Sequence, residues 1–317
     1  MIELRGLTKR YGPVAAVDDL TCTVAPGVVT GFLGPNGAGK TTTMRMVLGL
    51  DHPTAGDATV LGRRFAALPA PMRQVGALLD PRAVHPNRTA RGHLRALAYS
   101  NGISRRRVDE VLGLVGLENV AGRRAGSFSL GMSQRLGIAA ALLGEPAVLL
   151  FDEPVNGLDP EGIRWIRDLL RRLAASGRTV LVSSHLLSEM ALTADQLIVV
   201  GRGRLIADTT TEDFLRRYGN PTVRVRLAEP AGSGFRRRLA QAAEQVVAEA
   251  DDTWIVSGLD SAEVGAIAAA DQVTLAELTP RYSSLEEVFM RLTSDSVEFR
   301  VDQPAGPAAV AAGEVTR

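Results

Sequence analysis

Residues 34–41 run GPNGAGKT, a glycine-rich loop closed by a lysine and a hydroxyl. Gly34, Gly37 and Gly39 let the backbone curl until several N–H groups point at one phosphate, and a helix starting just beyond adds its positive end. Lys40 supplies a compact charge for the β- and γ-phosphates of a nucleoside triphosphate, and the Thr41 hydroxyl suits Mg²⁺. Lys9 and Lys40 are the lysines of a chain whose other long cations are arginines. A planar guanidinium does not replace an ammonium in such a loop. Gly34, Asn36, Gly37, Ala38, Gly39, Lys40, Thr41 and Thr42 form the expected phosphate-binding set.

A triphosphate site also needs an acidic partner. Residues 147–153 run AVLLFDE, an apolar strand that ends in two carboxylates whose side chains leave the strand in different directions. Asp152 is expected in the Mg²⁺ shell, and Glu153 at the γ-phosphate as the general base that polarises the attacking water.

These groups require a scaffold that holds a loop between a strand and a helix. VVTGFLG at 28–34 is a compact apolar strand and TTTMRMVLGL at 41–50 reads as a helix. Alternating patterns mark 2–8 and 20–25, and further strands are expected at 58–61 and 75–79. Residues 89–117 are helical with a break near Asn101-Gly102, and Leu94, Leu97, Val108, Val111, Leu112 and Val115 recur at helical intervals. From 129 onward helix and strand alternate through LGMSQRLGIAAALLG, AVLLFDEP, a helix opened by Pro160, TVLVSSH and LLSEMALTA. Unalternated runs such as VLLF suit strands buried on both faces. A hairpin at 197–208 and the helix TEDFLRRYG close this part.

Character changes near Gly219-Asn220-Pro221, which sets the expected domain boundary at 220. Beyond it come strands at TVRVRLA, TWIVSG and VTLAEL, with helices around 235–248, at 262–269 and from Ser284 to Leu292, a compact α+β appendage over 221–300. The Pro-, Gly- and Ala-rich residues 301–317 have little to pack and are expected to be a disordered tail.

With 317 residues the chain can bury one large core and one small one. Aromatics make up only 4%, so aliphatic residues must supply those cores. Thirty-six basic residues against 35 acidic give a charge of +1 and no global attraction to nucleic acid. The start, MIELRGLTKR, carries charges where a signal peptide needs apolar residues. The most apolar window, 138–151, is broken by Glu145 and Pro146 and is shorter than the roughly 20 residues of a membrane helix. Cys22, with no second cysteine to pair with, is expected in the core. His85 and His93 have no cysteine or carboxylate cluster beside them and are expected at the surface or in docking.

Over residues 2–218 the motifs stand in the order of the ATP-binding cassette (ABC) family, which the chain resembles. SFSLGMSQR at 127–135 resembles the family signature, with Ser129 and Gly131 in its serine and second-glycine positions and Leu130 and Met132 in place of the usual glycine and glutamine. Without the family, Ser129 is a helix N-cap whose neighbouring N–H groups are free to take a phosphate. The resemblance implies that Ser129 and Gly131 reach the γ-phosphate of ATP held by a second ABC subunit, so that two cassettes enclose two nucleotides head to tail. It implies that Tyr11 stacks on adenine, that Asp159 of GLDPEG crosses between subunits, and that His185 is the switch histidine beside Glu153. Asp80 ends VGALLD where the family usually has glutamine; shorter and charged, it suits a water-bridged contact to the metal.

The implied fold is an α/β P-loop NTPase of the ABC ATPase type over 1–220, with a helical subdomain at about 85–145 and a small α+β C-terminal domain. Implied with it are ATP and Mg²⁺, a homodimer, separately encoded integral membrane permease subunits, and a place on the cytoplasmic face of the cell membrane. The ending RYSSLEEVFMRLT resembles the accessory domain of exporter ATPases of the drug-resistance, bacitracin and daunorubicin type, which favours export of a drug, antibiotic or peptide. Leu285, Val288, Phe289 and Leu292 line one face of a helix expected to pack on its own domain. The competing class is a non-transport ABC ATPase of translation or chromosome maintenance; such proteins typically carry two cassettes or a long coiled-coil insertion, neither of which is evident. No direct nucleic-acid binding is expected.

Overall fold

The computed structural model describes residues 1–219, 222–228, 233–250, 252–281 and 283–293. Strand β1 (Ile2–Tyr11) pairs antiparallel with β2 (Val14–Val24), and the five residues of β3 (Val29–Leu33), all buried, run through the glycine loop into helix α1 (Lys40–Val47). Strand β4 (Ala55–Val60) returns to the free edge of β1, which makes a three-stranded antiparallel sheet ordered β2-β1-β4. After β5 (Val75–Leu78) the chain leaves the sheet for α2 (Ala90–Ser100), α3 (Arg105–Leu114) and α4 (Leu130–Leu142). It then alternates through β6 (Val148–Asp152), α5 (Pro160–Ala175), β7 (Thr179–Ser184), α6 (Leu187–Thr193), β8 (Gln196–Gly201), β9 (Arg204–Thr210) and α7 (Thr211–Tyr218).

The central sheet has the order β5-β6-β7-β3-β8-β9, parallel throughout except for the antiparallel edge strand β9. Alternation along β6 divides the core: Leu149 and Phe151 face the helices, whereas Val148 and Leu150 face α1 and the three-stranded sheet. Both faces are covered, which is why these strands carry unbroken apolar runs. Leu94, Val108, Val111, Leu112 and Val115 are buried in the helical segment, as their spacing predicts, and Leu97 is partly buried. Cys22 is buried, and that burial pushes its thiol up to about 12.

The C-terminal part contains β10 (Thr222–Leu227), α8 (Ser233–Ala242), β11 (Gln245–Ala250), β12 (Thr253–Ser257), α9 (Ser261–Ala270), β13 (Leu275–Arg281) and α10 (Leu285–Thr293). Its antiparallel sheet, β11-β12-β10-β13, buries Val223, Val225, Trp254 and Val256 with α8 and α9 in a core separate from the two cores of the central sheet. Two expectations fail here. The helix around 235–248 stops at Ala242, because Gln245–Ala250 pairs with β12, Val247 opposite Ile255; a free strand edge and two β-branched valines outweigh an alanine-rich helical propensity. The helix at the end does bury Leu285, Val288 and Phe289, but in the helix-side core of the central sheet against α6 and α7 rather than on its own domain. An apolar stripe requires a covering surface without specifying which one. Asn220, Pro221 and the tail 301–317 lie outside the described residues.

Candidate nucleotide site

Parallel strands that feed helices leave their C-terminal ends open, and ligands of such sheets sit in the crevice outside those ends. Here β3 ends in the glycine loop, β5 in Asp80, β6 in Asp152 and Glu153, and β7 in His185. The first three meet around a cavity of about 670 Å³ lined by the loop from Asn36 to Thr42, by Asp80 and Arg82, and by Asp152 and Glu153.

Local sequence dictates the loop. A Cβ at Gly34 would lie 2.7 Å from the Val200 carbonyl oxygen, and Gly39, with φ +92°, passes too close to the Ala16 carbonyl to carry a side chain. The strand and loop therefore pack against the sheet and the β1–β2 hairpin at a separation only glycine allows. Lys40 is 8% exposed, and its ammonium donates to the carbonyls of Gly34 (2.6 Å) and Pro35 (3.2 Å). Burial draws its proton affinity below that of an ordinary lysine, opposed by the carboxylates of Glu153 and Asp152.

On the acidic side the Thr41 hydroxyl donates to Asp152 Oδ2 at 2.6 Å, and the Ser183 hydroxyl donates to Asp152 Oδ1. Glu153 has φ +51°, a left-handed conformation that costs a non-glycine residue about 1–2 kcal/mol. It is held on three sides: its N–H donates to Ser183 Oγ (3.0 Å), its carbonyl accepts from Gln134 Nε2 (2.9 Å), and its Oε2 lies 2.7 Å from His185 Nδ1. The backbone N–H of His185 also donates to that carboxylate at 3.3 Å. A carboxylate oriented by an imidazole at the edge of that cavity can take a proton from water.

The donor set fits Mg²⁺. Thr41 and Asp152 bring a hydroxyl and a carboxylate together, and Mg²⁺ prefers one or two such groups completed by substrate phosphates and water. Among the described residues no group of three or more His, Cys, Asp or Glu side chains forms a metal cage, so the nucleotide would have to complete the shell. Asp80 lines the same cavity and accepts from the Arg82 N–H at 2.8 Å.

The other expected residues stand apart from this cavity. Tyr11 is half-exposed, its hydroxyl donates to Asp51 at 3.3 Å, and the Lys9 ammonium lies 5.0 Å from its ring. Ser129 caps α4 by accepting from the Met132 N–H (3.2 Å), and Asp159 caps α5 by accepting from the Gly162 N–H (2.9 Å). A Cβ on Gly131 would lie 2.7 Å from the Gly157 carbonyl oxygen, so the start of α4 is seated on the loop before Asp159. Sequence reasoning missed Ser183 and Gln134. Gln134 is 1% exposed and stands at helical spacing from the buried Ile138 and Ala141, a polar residue in an apolar stripe that marks it for a special role.

Residues 17–156 match the sequence model of the ABC transporter family, and residues 221–286 match one described as a domain of unknown function (DUF8746). The chain is 42% identical over 220 residues to the bacitracin transport ATP-binding protein BcrA of Bacillus licheniformis, covering 68% of this chain and 72% of that one. It is 33% identical over 315 residues to the daunorubicin/doxorubicin resistance ATP-binding protein DrrA of Streptomyces peucetius, covering 96% of each. A bacterial ABC transporter cassette solved as a dimer superposes with a TM-score of 0.61 at 25% identity, covering 67% of this chain and 99% of that chain. With this fold, this loop and these relatives, the chain belongs to the ABC transporter ATP-binding proteins and is an ATP-hydrolysing, nucleotide-binding subunit of that family.

Proposed function

We propose that two copies of this chain close head to tail around two ATP molecules and drive a separately encoded integral membrane permease that exports a drug, antibiotic or peptide. The reading rests on the Glu153–His185 pair, 2.7 Å apart, with Glu153 in the same cavity as the buried Lys40. Glu153 takes a proton from water as the water oxygen bonds to the γ-phosphorus, and the bridging oxygen departs with ADP. His185 orients Glu153 and contacts the γ-phosphate. Lys40 turns from the loop carbonyls to the β- and γ-phosphates, and the loop N–H groups from Asn36 to Thr42 hold the chain of phosphates. Thr41 and Asp152 would hold Mg²⁺, with Asp80 contributing through water, and the ion would supply neutralisation of charge on the phosphate oxygens. Tyr11 stacks on adenine, Ser129 and Gly131 face the γ-phosphate held by the other copy, and Asp159 crosses between copies.

Export is supported by similarity along nearly the whole chain to a protein named for daunorubicin/doxorubicin resistance. The dimer is supported by the dimeric cassette that the ATPase portion resembles. Among the described residues no helix is long and apolar enough to cross a membrane, and the reading assigns the membrane path to the permease. A cavity of about 330 Å³ lined by Pro81, Val84, Pro86, Phe128 and Leu136 offers the permease a docking groove beside the nucleotide site, at the cytoplasmic face of the membrane. Residues 1–220 then form the motor and 221–300 an accessory domain for dimerisation or docking. Affinity purification of tagged Glu153→Gln from native membranes with ATP present tests the reading. A stoichiometric polytopic membrane protein is the expected companion; ribosomal or DNA-maintenance proteins without one would overturn it.

A further inference from the structure

From α4 the Gln134 side chain reaches the backbone of the proposed general base. Its Nε2 donates to the Glu153 carbonyl at 2.9 Å, an oxygen that also accepts from the Asn156 N–H at 3.2 Å. Its own Oε1 is buried without a hydrogen-bond partner among the described residues, and the residue lines the nucleotide cavity. A buried amide left half-satisfied is costly, and a single leucine or methionine would fill the same volume without that cost. What the amide contributes is a donor aimed at a peptide in the left-handed conformation, φ +51°.

The same helix is capped by Ser129, and it touches the catalytic loop through Gln134 at Glu153, through the Leu130 side chain at Gly157 and through the close approach of Gly131 to the Gly157 carbonyl. The signature segment and the loop from Glu153 to Gly157 are thereby fastened into one body. We infer that Gln134 is a positioning residue that fixes the Glu153 peptide and carries the engagement of α4 with the other copy's nucleotide to the general base of its own chain. The inference rests on the roles proposed above for Glu153 and for Ser129 and Gly131. In consequence each active site senses, through Gln134, whether the opposite one holds ATP.

The test measures ATP affinity, KM, kcat and ATP-dependent dimerisation of the full chain as wild type, Gln134→Leu, Gln134→Glu and Glu153→Gln. Gln134→Leu is expected to lower kcat by about 10-fold or more, as slight misplacement of a catalytic group does, with ATP affinity, KM and dimerisation unchanged. Gln134→Glu keeps the shape but at neutral pH presents oxygen to oxygen; it is expected to show the same split and serves if the leucine variant does not fold. Loss of dimerisation with raised KM in the variant that folds would make Gln134 a mere support of the signature helix and overturn the inference. So would wild-type kcat in Gln134→Leu while Glu153→Gln is inactive. Turnover by Glu153→Gln itself would instead remove the role of Glu153, and the inference with it.

Discussion

The central sheet and the C-terminal sheet follow opposite rules. All residues of β6 and β7 are buried, so side chains free to do chemistry are confined to the strand ends, and Asp152, Glu153 and His185 all stand there. The C-terminal sheet has one face packed under α8 and α9 and another that carries Arg224 between Glu249 and Glu277, with Arg281 on Glu249. On that face the charged groups pair with one another. The first sheet gathers its polar groups at strand ends around one cavity, and the second spreads them across a face. The two are tied by α10, which leaves the second domain, packs on α6 and α7 and buries Phe289 in the core of the central sheet.

The largest expected effect belongs to the site. Lys40→Arg should lower ATP hydrolysis by about 100-fold or more while the thermal midpoint holds, because a guanidinium cannot occupy the buried ammonium position. Phosphate release and calorimetry on the same preparations would check it, and wild-type rates would break the claim that the loop is specific for lysine. Next comes the tie between the parts. Phe289→Ala should destabilise the ATPase portion by about 3 kcal/mol, whereas Leu239→Ala, in the separate core of α8, should cost about 2–3 kcal/mol in the C-terminal portion alone. Hydrogen exchange resolved by segment would separate them; a Phe289→Ala effect confined to the C-terminal portion would break the comparison.

The smallest effect lies on the exposed face of the second sheet. Hydrogen bonds from Arg224 hold the carboxyls of Glu249 and Glu277 below the usual carboxylate range. A carboxylate with a depressed folded pKa stabilises the fold above its unfolded value and loses that contribution as pH falls through the folded value. Arg224→Gln should therefore flatten the acid limb of the stability profile of the C-terminal portion and leave ATP hydrolysis at neutral pH unchanged. An equal loss of stability at every pH would contradict this account of the ion pairs.

Legibility in the sequence follows the same division. The loop at 34–41 and the end of β6 are visible because phosphate and metal chemistry admit few residue types at few spacings. The parallel strands are visible because burial on both faces leaves unbroken apolar runs. β11 is hidden because AEQVVAEA is largely compatible with a helix, and the waiting edge of β12 tips its two valines into a strand. The stripe of α10 is visible but its partner is not, since periodicity reports that a face is covered and never by what. Gln134 shows only as a polar residue out of place; its target, the Glu153 carbonyl, lies 19 residues away and emerges only from the fold.

The central claim, that this cavity hydrolyses ATP through Glu153, is tested most directly by measuring ATP binding and phosphate release by Glu153→Gln beside the wild type. The account predicts that binding is retained, that release falls by about 100-fold or more, and that the dimer persists as long as ATP is present. Phosphate release at the wild-type rate would contradict it.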